Sequence, residues 1–135
     1  MGPKHFLNFE KISNQEFVSI IERGIELKNS NDAKKTLKGK ILGLVFEQPS
    51  TRTRVSFEVG INDLGGSSIF LSGSELQLSR GEPISDTAKV LSSMLDVIVL
   101  RTDNHEKLEI FSQNSSVPII NGLTNSFHPC QIMAD

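Results

Sequence analysis

The chain has a single cysteine, no tryptophan, no tyrosine and no apolar run near the roughly 18 residues of a membrane-spanning helix. One cysteine excludes an intrachain disulfide and cannot by itself build a cysteine-type zinc site. Lysine and arginine number 14 against 16 aspartate and glutamate residues, a formal net charge of −2. A protein that binds nucleic acids in general, or anionic membranes, usually has more basic than acidic residues. This chain does not, so we expect it to bind neither nucleic acid nor a membrane.

The composition that remains is that of one globular domain. The chain has 135 residues, and 37% of them are hydrophobic, which is too many for a disordered chain. A folded chain of this size buries roughly two thirds of the surface that it exposes unfolded, so a core can form without disulfides. Residues 1–10 have the pattern of neither a signal peptide nor a transit peptide. We therefore expect a soluble protein in the reducing environment of the cytoplasm.

Apolar strands alternate with helical patterns along the chain. The run Ile41–Phe46 is apolar throughout and too short for a helix, which is typical of a strand buried on both faces. The same patterning predicts further strands at 68–71, 97–100 and 117–120. Helices are predicted from a capping box at Ser13 to Lys28, then at 51–64, 84–95 and 104–113, with another beginning at His128.

This alternation predicts an α/β fold, a parallel sheet of about four strands with helices on both faces. In such sheets, ligands bind at the carboxyl ends of the strands. That rule selects four segments of the chain, 47–54, 72–83, 101–105 and 121–131. The second of them is a polar loop of about a dozen residues, long enough to suggest a function of its own.

The first segment places Ser50, Thr51, Arg52 and Thr53 where a strand becomes a helix. A helix N-terminus offers unpaired N–H groups and a positive dipole end, and hydroxyl and guanidinium groups add donors for phosphate oxygens. Taken alone, such a cluster is more often an ordinary Ser/Thr N-cap followed by solvated arginines. The glycine spacing and the lysine of a Walker A loop are absent, which disfavours a nucleotide-dependent kinase or ATPase.

The third and fourth segments add fewer candidates. Arg101 follows an apolar strand directly, a position from which a charged residue usually just exits to solvent. His128 and Gln131 are spaced i, i+3 at a helix start, so both can face one small ligand. Cys130 is interpreted as a small packed hydrophobe and not as the partner of His128 in a catalytic dyad. His105 is interpreted as a feature of a helix start.

The combination resembles a known family. Residues 46–54 read Phe-Glu-Gln-Pro-Ser-Thr-Arg-Thr-Arg, and with 56–58, Ser-Phe-Glu, they strongly resemble the carbamoyl-phosphate signature of the aspartate/ornithine carbamoyltransferases. The order and spacing of 80–82 with 86–87, 101–102 with 105–106, and 128–131 agree as well. The resemblance spans nearly the whole chain. Residues 121–131, together with Gln77 and Arg80, resemble the ornithine branch of the family more than the aspartate branch, which stays the alternative.

The resemblance implies a substrate and a set of roles. It implies transfer of a carbamoyl group from carbamoyl phosphate to the δ-amine of L-ornithine, giving L-citrulline and phosphate in arginine metabolism, without a metal or an organic cofactor. The phosphate would be held by Ser50, Thr51, Arg52 and Thr53, and by Gln77 from a neighbouring subunit. Arg101 and His128 would be catalytic, polarising the carbamoyl oxygen, and Gln131 would help to orient the carbamoyl group.

The resemblance also implies how much of the enzyme is present. Residues 1–135 correspond to the carbamoyl-phosphate-binding domain, and the ornithine-binding domain of the family is expected to be absent from these residues. The family forms homo-oligomers, so a trimer is expected. The competing hypothesis is a non-catalytic module that binds phosphate or mediates assembly.

Overall fold

A computed structural model describes residues 3–10, 12–29, 36–73, 84–124 and 128–134. Within them, four strands run from Ile41–Phe46 (β1), Ser67–Ser72 (β2), Val97–Arg101 (β3) and Ile119–Leu123 (β4). Five helices run from Asn14–Asn29 (α1), Thr51–Asp63 (α2), Ile84–Ser92 (α3), His105–Gln113 (α4) and Pro129–Ala134 (α5). No helix in these ranges is long and apolar enough to cross a membrane. Most of the loop that contains Gln77 lies outside the described residues, so the prediction for Gln77 has no structural counterpart here.

The sheet has the strand order β2-β1-β3-β4, and every neighbouring pair is parallel. The chain therefore leaves β1 toward β2 on one side and returns to place β3 on the other side of β1. This reversal creates a topological switch point, a crevice between the carboxyl ends of β1 and β3. Beyond β4, Phe6 adds a short parallel bridge to Ile120, with its N–H donating to the Ile119 carbonyl at 2.8 Å.

Two apolar clusters lie on opposite faces of the sheet. On one face, side chains of β1 and β3 pack with Ala88 of α3 and with Leu108 and Phe111 of α4. On the other face, strand residues pack with Ile61 and Phe57 of α2. The strands read as continuous apolar runs because both of their faces are buried. The predicted fold, a four-stranded parallel sheet with helices on both faces, is confirmed.

Two predicted boundaries are wrong, for physical reasons. The helix expected at 84–95 ends at Ser92, and Leu95 is buried in the turn that follows. A Cβ on Gly43 would lie 2.5 Å from Leu95 Cδ1, so Leu95 occupies the space over that glycine. The strand expected at 117–120 is Ile119–Leu123 instead, because its ladder to β3 begins at Ile119 and continues through the polar Asn121.

Candidate functional site

The crevice between β1 and β3 is closed at its base by the backbone. The Glu47 N–H, one residue after β1, donates to the Arg101 carbonyl at 2.8 Å. This bond holds the loop from β1 to α2 against the end of β3. The first and third segments selected from the sequence are therefore brought together at the switch point.

Helix α2 begins at this crevice with a formed N-cap. Ser50 has extended backbone angles, φ −157° and ψ 102°, and its Oγ accepts from the Thr53 N–H at 3.4 Å. Thr51 and Arg52 are exposed on the first turn, and the Arg52 side chain has no polar partner among the described residues. The ordinary-cap interpretation is thus correct for Ser50. The exposed Arg52 also fits the solvated arginine of that interpretation, and the same exposure leaves its guanidinium available to an anion.

Arg54, the second arginine of this segment, is engaged elsewhere. Its Nε donates to Glu58 Oε1 at 3.1 Å, and its guanidinium carbon lies 3.8 Å from the centre of the Phe70 ring. An ion pair one turn along the helix and a cation–π contact both fix it on the side of α2 that faces β2. Within the segment, Arg52 is the arginine left for a ligand.

Arg101 does not exit to solvent from the end of β3. Its Nη1 donates to Thr53 Oγ1 and to the Gly122 carbonyl, each at 3.3 Å, so the side chain lies half-buried between α2 and β4. Its Nε is buried and has no hydrogen-bond partner among the described residues. Burial also lowers the pKa of the guanidinium, although an arginine stays charged at neutral pH.

A bulge in β4 supplies the carbonyl that Arg101 contacts. Leu100 pairs with Asn121 but Arg101 pairs with Leu123, which leaves Gly122 as the extra residue. A Cβ on Gly122 would lie 2.9 Å from Val99 Cγ1, so a glycine is needed there. The backbone of Leu123 has φ 148°, a value that residues other than glycine rarely adopt. Backbone strain of this kind is often found at functional sites.

His128 lies just before α5, and its Nδ1 is buried without a hydrogen-bond partner among the described residues. Burial lowers the pKa of this imidazole, and the positive charge of Arg101 lowers it further. The ring is therefore neutral at neutral pH and lies within the electrostatic reach of Arg101. Gln131 is exposed on α5, at the predicted i, i+3 spacing.

Cys130 does not take part in a catalytic dyad. Its Sγ lies 3.8 Å from the Asn121 carbonyl, and burial raises the pKa of the thiol to about 11. A thiol in this state is a poor nucleophile, since the thiolate is the reactive form. The interpretation of Cys130 as a packed residue agrees with this environment.

The arrangement can bind a small anion that carries a planar carbonyl group. Three buried side-chain atoms lack a partner in the described part of the chain, and two of them are nitrogens of Arg101 and His128. Buried polar atoms are rarely left unpaired, so such a pair indicates a place for a ligand. The described residues contain no group of three or more histidine, cysteine or acidic side chains that could hold a metal ion.

Sequence reasoning missed a polar network behind this crevice. Thr102 Oγ1 donates to Glu47 Oε1, and Lys107 Nζ lies 3.3 Å from Glu47 Oε2. Nearby, His105 Nδ1 lies 2.9 Å from Thr124 Oγ1, a link from α4 to the end of β4. His105 does begin its helix, as expected, but its bond to Thr124 joins residues 19 positions apart. No local pattern signals such a contact.

Comparison with known proteins identifies the family of the chain. Residues 4–135 match the family model described as "Aspartate/ornithine carbamoyltransferase, carbamoyl-P binding domain". The chain belongs to this family. It is 56% identical to the ornithine carbamoyltransferase of Methylococcus capsulatus over all of its 135 residues, which make up 45% of that protein.

Solved carbamoyltransferases share the fold as well. The anabolic ornithine carbamoyltransferase of Campylobacter jejuni superposes with a TM-score of 0.93 at 45% identity, over 98% of this chain and 43% of that one. The ornithine carbamoyltransferase of Pyrococcus furiosus gives 0.92 at 39% identity, over 99% of this chain and 44% of that one. The chain spans less than half the length of these carbamoyltransferases.

The coupling of His128 to Arg101 predicts a measurable pKa. In the ligand-free chain, the His128 imidazole should titrate below its ordinary pKa in an NMR pH titration. Arg101→Met should raise that pKa, because it removes a nearby positive charge that disfavours the imidazolium. The rise should be partial, since burial is the larger cause of the shift. Lys28→Met, which removes a positive charge on α1, is the control, and an equal rise in it would contradict the assignment.

Proposed function

We propose that the chain binds carbamoyl phosphate and forms the carbamoyl-phosphate-binding domain, residues 1–135, of an ornithine carbamoyltransferase. The observation that supports this most strongly is the pair of unpartnered buried nitrogens, Arg101 Nε and His128 Nδ1, at the crevice where α2 begins. The three relatives named above are ornithine carbamoyltransferases, which favours ornithine over aspartate as acceptor.

Each predicted site residue receives a role in this proposal. The phosphate sits at the N-terminus of α2 against Ser50, Thr51, Arg52 and Thr53. Arg101 spans the phosphate and the carbamoyl oxygen, because its guanidinium already contacts Thr53 and leaves Nε free of partners. His128, neutral at neutral pH, and Gln131 orient the carbamoyl group. Gln77 would complete the site from a neighbouring subunit.

The proposed reaction follows from these placements. The δ-amine of ornithine attacks the carbamoyl carbon, and the electrons of the C=O bond move onto oxygen to give a tetrahedral intermediate. Arg101 and His128 stabilise the charge that develops on that oxygen, an effect that usually supplies a large part of an enzyme's rate. The C–O bond to phosphate then breaks, the bonding pair leaves with phosphate, and the amine loses a proton to give citrulline.

A calorimetric titration of the chain tests the proposal. Carbamoyl phosphate should bind at one site per chain, and inorganic phosphate should bind at the same site more weakly, because it lacks the carbamoyl oxygen and amide. Competition between the two ligands reports that they share the site. Absence of binding by both would contradict the proposed function.

Arg52→Lys tests the phosphate clamp. Lysine keeps the charge but loses the planar fork that matches two phosphate oxygens, so it is not a conservative change at such a site. We expect the affinity for carbamoyl phosphate to fall by about 1.5–3 kcal/mol, the size of one charge-assisted hydrogen bond. The same titration measures it, with Arg23→Lys on α1 as control. An unchanged affinity in the Arg52 variant would remove it from the site.

The chain should also self-associate, and we propose a trimer. Val55 and Val59 form an exposed apolar stripe on α2, and Ile69 is exposed on β2, an edge strand of the described sheet. Light scattering at high concentration should give a trimer mass that Val59→Lys reduces. Val18→Lys on α1 is the matched control, since Val18 is as exposed as Val59. A monomer at all concentrations would contradict assembly through this domain and would leave Gln77 outside the site.

The wider setting of the enzyme stays a prediction. A location in the cytoplasm and a place in arginine biosynthesis follow from the resemblance and from the composition.

A further inference from the structure

Glu47 joins three chain segments at the switch point. Its side chain is only 10% exposed, and its two carboxylate oxygens lie 3.3 and 3.4 Å from Lys107 Nζ on α4. Oε1 also accepts a hydrogen bond from the Thr102 hydroxyl, which is itself fully buried. The backbone of the same residue bonds to the Arg101 carbonyl. One side chain thus connects the loop before α2 with the end of β3 and with α4.

These contacts reach α4, which covers one face of the sheet, whereas the Arg101–Thr53 bond reaches α2, which covers the other face. Side chains alternate along an extended chain, so Arg101 points toward Thr53 of α2 while Thr102 points the other way, where its hydroxyl contacts Glu47 and the N–H of Asn104, the N-cap of α4. The loop that leads to Ser50 is therefore fastened to β3 from both sides of the sheet. The Arg101–Thr53 bond holds the loop on the face of the sheet that α2 covers. The contacts of Glu47 with Thr102 and Lys107 hold it on the face that α4 covers.

We propose that the Glu47–Lys107 ion pair is a positioning device that holds the phosphate-binding turn of α2 in register with Arg101. The proposal rests on the proposed function, since the ligand is carbamoyl phosphate. The side-chain contacts through which Glu47 acts in this proposal are those to Thr102 and Lys107, so its role is that of a positioning residue and not a catalytic one. Lys107 neutralises a carboxylate that would otherwise be a nearly buried negative charge close to an anion site.

The direction in which Glu47→Gln changes the affinity for carbamoyl phosphate distinguishes a positioning role of Glu47 from an effect of its charge alone. Glu47→Gln keeps the shape of the side chain but removes a negative charge near the bound anion. If Glu47 acted only through its charge, this variant would bind carbamoyl phosphate more tightly than the wild type. If Glu47 positions the turn, the variant binds more weakly in spite of the more favourable charge.

The experiment titrates carbamoyl phosphate into wild type, Glu47→Gln, Lys107→Met, the double variant and Lys107→Arg, with thermal unfolding as a check that each is folded. We expect each of the first two to weaken binding about tenfold, within the range of coupled neighbours. The double variant should be no weaker than the worse single variant, because both remove the same link. Lys107→Arg keeps the ion pair and should bind like wild type. Glu26→Gln, which breaks the exposed Arg23–Glu26 pair on α1, is the control.

If Glu47→Gln fails to fold, the affinity of Lys107→Met for carbamoyl phosphate at high salt tests the proposal instead. At 1 M salt the Debye length falls to about 3 Å, so a long-range charge effect of Lys107 disappears. A positioning defect persists, and Lys107→Met should stay weaker than wild type at the same salt. Loss of that difference, additive single effects, or tighter binding by Glu47→Gln would overturn the proposal. A wild-type chain that does not bind carbamoyl phosphate would overturn the proposed function, and this inference with it.

Discussion

Arg101→Met is expected to lower the affinity of the chain for carbamoyl phosphate about 100-fold or more. In the free chain, Arg101 already lies between Thr53 and Gly122 and presents a buried Nε without a partner. Two charge-assisted hydrogen bonds to the ligand, at about 1.5–3 kcal/mol each, account for a loss of about 3 kcal/mol or more. Calorimetric titration measures it.

Arg54→Met is the matched control for that loss. Arg54 belongs to the same sequence segment as Arg52, but its guanidinium is committed to Glu58 and to the Phe70 ring. We expect its removal to change the affinity less than about threefold, since an exposed ion pair contributes only about 0.2–1 kcal/mol. An equal loss in both variants would show that the geometry of the two arginines is misassigned. Thermal unfolding checks that each variant is folded.

A polypeptide of these 135 residues is expected to bind carbamoyl phosphate without producing citrulline. Every contact assigned to the ligand concerns the phosphate or the carbamoyl group, and none holds the α-carboxylate or α-amine of ornithine. Holding two reactants about 3–3.5 Å apart supplies roughly 7–11 kcal/mol of a barrier, so turnover without that second site should be undetectable. Binding energy that does not orient the reactants leaves the barrier unchanged.

A citrulline assay checks this with three samples. The first is the 135-residue polypeptide alone, the second is a separately produced ornithine-binding domain from a carbamoyltransferase relative, and the third is their mixture. Turnover only in the mixture would agree with the division of the site between two domains. Appreciable turnover by the polypeptide alone would contradict it and would mean that an ornithine site lies within these residues.

The sheet could be predicted from the sequence because its strands are buried on both faces. Ile41–Phe46 is apolar throughout and bounded by turn residues, so both of its ends were predicted correctly. The end of β4 could not be predicted, because Asn121 and Gly122 read as loop residues. In the structure, Asn121 is fully buried and bonds to the Leu7 carbonyl and the Leu123 N–H, contacts that depend on the N-terminal segment and on the bulge.

The candidate site, like the sheet, could be predicted from the sequence only in part. The rule that ligands bind at the carboxyl ends of parallel strands predicts, from the sequence, that the segments of Ser50, Arg101 and His128 lie at one edge of the sheet. The sequence could not say which arginine of the first segment is left available to a ligand, since that depends on the contacts of Arg54 with Glu58 and Phe70. Nor could it reveal the Glu47–Lys107 pair, whose members are 60 residues apart.

The most direct test of the central claim is the NMR signal of the Arg101 Nε–H group. This donor is buried and has no partner in the described structure, so its resonance reports whether a ligand oxygen arrives there. Adding carbamoyl phosphate should shift that resonance downfield and slow its exchange with water, while the Nε–H of Arg23 on α1 stays unchanged. An Arg101 resonance that stays in place while carbamoyl phosphate binds would contradict the account.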